Sequence, residues 1–217
     1  MKKVILFFAL LTPFLSGAQI LTTLDGVVSY DVINSNSFTS SFSSGRSSIA
    51  SLRFGANFNF RVFDKGFMKT GLRYARQSDV FISFTPSTTT SDEINEYYLE
   101  MPLIFRHEFK QGSYTPYIEI GGSTHLFLNS TRKINSFGML TEEDFDPPYL
   151  NGKRFRFAIV IALGLQFKMS THHLIFFQPT MRRFLPIDLG FNSSLVTTNI
   201  GFEVGIRRAL QFVDDNK

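Results

Sequence analysis

The 217-residue chain contains no cysteine and no tryptophan. The missing cysteine excludes a disulfide framework and a lipid-modified cysteine anchor. Long hydrophobic runs are also scarce. In RFRFAIVIALGLQFK, Arg154 to Lys168, the uncharged run between Arg156 and Gln166 is far shorter than the ~20 residues a helix needs to cross ~30 Å of hydrocarbon. A membrane-spanning helix is excluded there. Metal-ligand spacings, phosphate-cradling glycine loops and calcium loops are absent, so no metal or cofactor is expected. No nucleophile, base and orienting group fall at a recognisable spacing, so no enzymatic activity is expected.

Charge of neither sign dominates. The N-terminus, MKKVILFFALLTPFLSGAQ, places Lys2 and Lys3 before an apolar run and Ser16-Gly17-Ala18, the order of a secretory signal peptide. Residues 1–18 are expected to be removed, leaving 19–217 as one domain. Without Lys2 and Lys3 the chain has 20 basic and 18 acidic side chains, and no basic run suggests a nucleic-acid partner.

What is abundant is phenylalanine, 26 residues, most of it within alternating segments. In the Arg154–Lys168 stretch, Phe155, Phe157, Ile159, Ile161, Leu163, Leu165 and Phe167 share one parity, and arginines, alanines and Gly164 the other. Successive strand side chains point to opposite faces, so this is a long two-faced strand. The same pattern predicts strands over Thr22–Ile33, SLRFGANFNFRVF, Phe67–Phe84, NEYYLEMPLIFRHEF, TPYIEIGGSTHLFLN, HLIFFQPTMRRFL and about Val196–Arg207. Links after the first, third and fifth strands are long and polar, the third reading TPSTTTSDE. Those after the second, fourth and sixth are short, with Asp64-Lys65-Gly66 as a tight hairpin.

Eight strands with long links at one end and short ones at the other define an all-β, antiparallel up-and-down barrel of the outer-membrane kind, with both termini on the short-turn, periplasmic side. Its orientation follows from volume. An eight-stranded barrel interior is just wide enough for side chains to fill or for one small ligand, and the bulky parity would overfill it. The bulky face therefore turns to lipid, and the parity of Gly55, Gly71, Gly121, Gly164, Gly201, Gly205 and Ala162 lines the lumen.

That lumen is expected to hold a paired charge network. Its acids are Asp25, Asp31, Glu96, Glu100, Glu108, Glu119 and Glu203. Its bases are Arg53, Arg61, Lys69, Arg73, Arg106, Arg154, Arg156, Lys168, Arg182 and Arg207. Buried charge is tolerable only when paired, so the balance predicts a salt-bridged plug rather than an ion pathway. Pro102 is expected to mark a bulge and Pro116 a strand start. His125 is expected in the network, His107 at a barrel end, and His172 and His173 in a periplasmic turn. The loop Ser130–Gly152 places Phe137, Met139, Phe145 and Tyr149 among acidic residues, as a cover for the barrel mouth or a partner-docking surface.

The leader followed by strands reading YYLEMPLIFRHEF, TPYIEIGGSTHLFL and NIGFEVGIRR, in that order, resembles the PorT-like outer-membrane β-barrel family of Bacteroidota. The resemblance covers essentially the whole mature chain. It implies an integral outer-membrane protein, and the family's namesake assists gliding-associated (type IX) secretion. It supplies no catalytic residues. One departure is the C-terminus, where VDDNK follows Phe212 although such barrels usually end on an aromatic residue. The expected function is thus a non-enzymatic barrel in outer-membrane lipid and lipopolysaccharide that anchors or assembles other envelope proteins, with secretion-system subunits among them. The alternatives are a small transport or ligand-binding barrel, a lipid-modifying enzyme, and a soluble barrel holding an apolar ligand.

Overall fold

The computed structural model describes residues 21–36, 44–85, 88–110, 112–136, 139–144, 154–185, 187–188 and 194–210. The expected signal peptide, loop residues Phe137, Phe145 and Tyr149, and the C-terminal tail lie outside the described residues.

The described residues form ten strands: β1 (Leu21–Asn36), β2 (Ser44–Phe63), β3 (Gly66–Thr85), β4 (Thr88–Glu108), β5 (Tyr114–Ser136), β6 (Met139–Asp144), β7 (Phe155–Lys168), β8 (His173–Phe184), β9 (Ile187–Asp188) and β10 (Ser194–Ala209). Eight of them close a barrel in the order β1-β2-β3-β4-β5-β7-β8-β10, and β10 pairs back onto β1 from Thr23↔Ala209 to Asn36↔Val196. All neighbours are antiparallel. Closure leaves these strands no unpaired edge at barrel level. β6 pairs only with the far half of β5, and β9 only with the start of β10.

Alternation gives the wall two chemically opposite faces. Along β10, Ile200, Phe202, Val204 and Ile206 are exposed while Asn199, Gly201, Glu203, Gly205 and Arg207 are buried; β7 and β8 repeat the pattern. The exposed face also carries Val28, Tyr30, Leu52, Phe54, Leu72, Ile120 and Leu163. Each large apolar side chain left in water forfeits about 1.5–3 kcal/mol of burial, so an outer surface of this composition is stable only against hydrocarbon. The fold is inside-out, with charge within and apolar bulk outside.

Small residues on the inner face admit larger side chains from neighbouring strands. A Cβ on Gly164 would lie 2.1 Å from the ring of Tyr117, and one on Gly205 would lie 2.4 Å from the ring of Phe176. Those two rings, with Val27, make the small apolar cluster inside the lumen.

Strand length departs from the expected pattern at the loop end. A tilted strand crosses the hydrocarbon in about 9–11 residues. β7 and β8, with 14 and 12 residues, do little more than that, whereas β2 to β5 have 20 to 23. TPSTTTSDE is therefore not a loop: β3 runs to Thr85 and β4 resumes at Thr88, paired Thr85↔Thr88. Nor is Ser130–Gly152 wholly a loop, because β5 continues to Ser136 and β6 folds back along it from Ser136↔Met139 to Thr131↔Asp144. Threonine favours extended backbone, and composition alone hid these extensions. They build a five-stranded sheet standing past Phe155, the first residue of β7.

Pro102 is a second correction. The irregularity between β4 and β5 lies at Tyr97/Tyr98, while Pro102 stays in register against Ser123. On its other side the β3–β4 pairing lapses between Thr70↔Leu103 and Arg73↔Glu100 and resumes without a shift. That gap accommodates the missing N–H. Pro116 sits close to the start of β5, opposite Leu165.

Candidate functional site

Every barrel strand sends at least one polar side chain into the hydrogen-bonded and ionic contacts of the lumen. At the short-turn end the Arg207 guanidinium donates to both carboxylate oxygens of Asp25, at 2.7 and 2.9 Å, joining the last strand to the first. Its Nη1 donates to Gln166 Oε1 at 2.8 Å, and Gln166 Nε2 donates to Glu108 at 3.0 Å.

One level up, Glu119 accepts from Arg106 Nε at 2.8 Å and from Lys69. Gln178 Nε2 bridges Glu119 and Glu203 at 3.2 and 3.0 Å, and Tyr117 Oη donates to Gln178 Oε1 at 2.8 Å. Arg73 forks onto Glu203 at 2.7 and 3.1 Å and reaches Asn57 Oδ1 at 3.0 Å through Nε. The Arg106 guanidinium also lies over the Tyr117 ring, 4.1 Å from its centroid, a cation–π contact.

Nearer the loop end, Arg182 ties Glu203 (3.1 Å) to Asp31 (3.0 Å), and Asp31 also accepts from Arg53. Glu100 lies among three guanidiniums, 3.3 Å from Arg53, 3.7 Å from Arg182 and 4.0 Å from Arg73.

Among the described residues the buried ionic side chains comprise seven carboxylates (Asp25, Asp31, Glu96, Glu100, Glu108, Glu119, Glu203) and seven cations (Arg53, Lys69, Arg73, Arg106, Arg156, Arg182, Arg207). An unpaired buried ion costs several kcal/mol, so this balance is a condition of the fold. Three residues expected in the lumen are elsewhere. Arg61 is exposed and pairs with Asp64 of the β2–β3 turn at 2.6 Å; Arg154 and Lys168 flank or end β7 and are exposed. Their parity is inward, but they lie at the barrel ends, where solvent takes over. Sequence reasoning missed Tyr117, Gln166 and Gln178 as connectors and Phe176 as an inward ring. All four share the parity of the inward charges, which was the available signal.

At the top of the network, Tyr98 Oη donates to Glu96 Oε2 at 2.8 Å and accepts from Arg156 Nη1 at 3.5 Å. Ser123 Oγ and His125 Nε2 are 2.8 Å apart, and His125 pairs in register with Glu100 of β4. Serine, histidine and carboxylate are the residue types of a hydrolytic set. Here the pair is buried, and the adjoining cavity is ≈ 10 Å³ as swept by a water-sized sphere, room for about one water. An acyl group does not fit. His107 sits near the β4 end with its ring 5.5 Å from that of Phe109, while His173, at the start of β8, shares the β7–β8 turn with Ser170.

The loop-end sheet carries charge on the outside. Arg132 forks onto Asp92 at 2.6–2.9 Å, which holds its guanidinium above the usual arginine range, and Glu143 of β6 lies 3.6 Å away. Lys133 and Glu142 approach to 3.5 Å on the opposite face. Met139 is 72 % exposed on β6, with Leu140 beside it at 66 %.

A closed antiparallel barrel with a lipid-compatible exterior and an ion-paired interior defines a transmembrane β-barrel of the outer-membrane type. No family model and no curated sequence matches the chain. Solved structures similar to it include Ail, the attachment invasion locus protein of Yersinia pestis, at 11% identity over 87% of this chain and 99% of that one, with a TM-score of 0.39. Neisserial surface protein A is similar at 12% identity over 87% and 97%, TM-score 0.44. OprG from Pseudomonas aeruginosa is similar at 10% identity over 89% and 98%, TM-score 0.44. The barrel assignment rests on register and burial, not on these likenesses.

Proposed function

We propose that this chain is a non-enzymatic protein of the bacterial outer membrane, seated in lipid and lipopolysaccharide, that anchors or assembles other envelope proteins. The observation that carries this reading is the division of the molecule. Its lumen holds polar and ionic contacts from all eight barrel strands, while four of those strands overrun the membrane and build a charged sheet with Met139 and Leu140 exposed. In this reading the contact surface lies at that sheet and at the rim.

The ends of β1 and β10 meet at the short-turn end, where Leu210 N donates to Thr22 O at 2.9 Å; in this reading that end is periplasmic. The resemblance of the strand sequences to the PorT-like family suggests the partner class, subunits of type IX secretion. Cross-linking the tagged protein in its native membrane, followed by mild detergent extraction, tests this. Recovery of secretion subunits is the expected result, and recovery of porins and lipopolysaccharide alone contradicts the partner assignment.

A further inference from the structure

Arg183 stands on the outer face of β8, exposed between the buried, inward Arg182 and Phe184. Its surroundings on that face are apolar. Ile159 of β7 lies opposite it in register, Met181 and Leu185 precede and follow it on the same face, and all three are exposed. On the β10 side its register partner is Thr198. Among the described residues its guanidinium forms no ion pair and no hydrogen bond. On the long side of the wall the chain answers its own outward arginine: Arg76 of β3 donates to Asn95 Oδ1 at 2.8 and 3.1 Å and lies 3.6 Å from Glu93.

A bare guanidinium on a lipid-facing wall is costly in mid-membrane and nearly free at the interface. Spacing along β10 puts Arg183 at the interface. Arg208, exposed on the same outer face, follows Thr198 by ten residues, about 33 Å of strand and about 25 Å of membrane at the ~40° tilt of such barrels, which is the height of their apolar band. Between the two levels the outer face of β10 holds Ile200, Phe202, Val204 and Ile206 and no charge. Arg208 thus marks the boundary at the short-turn end, and Arg183 the boundary at the loop end, at the depth of lipid headgroups.

We propose that Arg183 is a docking site for one phosphate-bearing lipid of the loop-end leaflet. The guanidinium fork takes the phosphate, the Thr198 hydroxyl is a further donor, and the acyl chains descend along Met181 and Ile200, which face each other in register below it. Guanidinium meets phosphate oxygens through paired N–H donors, a match that neither the apolar neighbours nor the described residues of this chain offer it. The inference rests on the reading of the chain as an outer-membrane barrel, and is independent of any protein docked on the loop-end sheet.

The test uses the full mature chain folded in dodecyl maltoside micelles. It is titrated with lipid A carrying its phosphates, with lipid A stripped of them, and with inorganic phosphate, and retained lipid is counted by native mass spectrometry. Wild type is expected to hold the phosphorylated lipid about tenfold more tightly than the stripped one. Arg183→Gln is expected to lose that preference. Arg61→Gln, which removes the same charge at a hairpin turn, is expected to keep it. Heat-modifiable gel migration checks folding of each variant. If Arg183→Gln does not fold, Arg183→Lys carries the test, with the preference reduced several-fold because the charge remains without the fork. Equal retention of the two lipids by wild type, or a preference unchanged in the Arg183 variant, overturns the site while heat-modifiable migration leaves the membrane barrel standing. Displacement of the lipid by inorganic phosphate at equal concentration overturns the lipid assignment. A chain that stays folded and dissolved without detergent overturns both the site and the membrane reading.

Discussion

Glu203 sits where Arg73, Arg182 and Lys69 converge, at 2.7, 3.1 and 3.7 Å. Removing its charge while keeping its shape leaves three buried cations short of one counter-ion. Breaking a buried pair in this way costs about 3–5 kcal/mol. Glu203→Gln is therefore expected to lower unfolding stability by that amount, measured by urea unfolding from lipid vesicles. Arg73→Gln added to Glu203→Gln is expected to cost less than Arg73→Gln alone, since the two share one interaction. Additive losses would mean that the network does not act as a unit. At this scale parity was a good guide: Lys69, Arg73, Glu119 and Arg207 read as inward from sequence, and inward they lie. Arg61, Arg154 and Lys168 have the same parity and lie outside. Alternation tells which face a residue takes, not how far along the barrel axis it sits, and a charge beyond the rim meets water instead of a partner. Pairing itself was not legible either, because Asp25 and Arg207 are 182 residues apart and meet only through closure of the barrel.

The elements divide into a short side and a long side. β7 and β8 stop near the rim, while β5 leaves β7 at Leu126↔Phe155 and goes on to pair with β6. Periodicity found the apolar cores of all eight barrel strands because lipid on one face and a narrow lumen on the other force large and small residues to alternate. Beyond the membrane that pressure ends. The start of β4 and the far half of β5 are rich in serine, threonine and asparagine, and they look like loop although they pair as strand. The absence of native cysteine makes this placement simple to check. Glu142→Cys on β6 is expected to react fully with a membrane-impermeant maleimide added to intact cells, and Phe202→Cys on β10 to remain unlabelled until the membrane is dissolved. Protection of Glu142→Cys would show that β6 does not stand outside the membrane.

As a whole molecule the chain inverts the usual arrangement of a soluble domain. Its interior holds arginine, glutamate and glutamine bound to one another, and its exterior holds phenylalanine, isoleucine and leucine. The sequence-based volume argument reached that orientation, since an eight-stranded lumen has no room for the bulky parity. The charge balance of the inward parity added the expectation of a salt-bridged interior, but which acid meets which base is decided by side-chain reach across the lumen rather than by pattern. The most direct test of the inverted arrangement is site-directed spin labelling at Ile200, Phe202, Val204 and Ile206 of β10 in lipid vesicles, comparing relaxation by oxygen, which partitions into lipid, with relaxation by a water-soluble nickel chelate. Oxygen is expected to dominate at all four positions and most strongly near the middle of the membrane-spanning run. Dominance of the nickel chelate at Phe202 and Val204 would contradict a lipid-facing wall and with it the account of this protein as a membrane barrel.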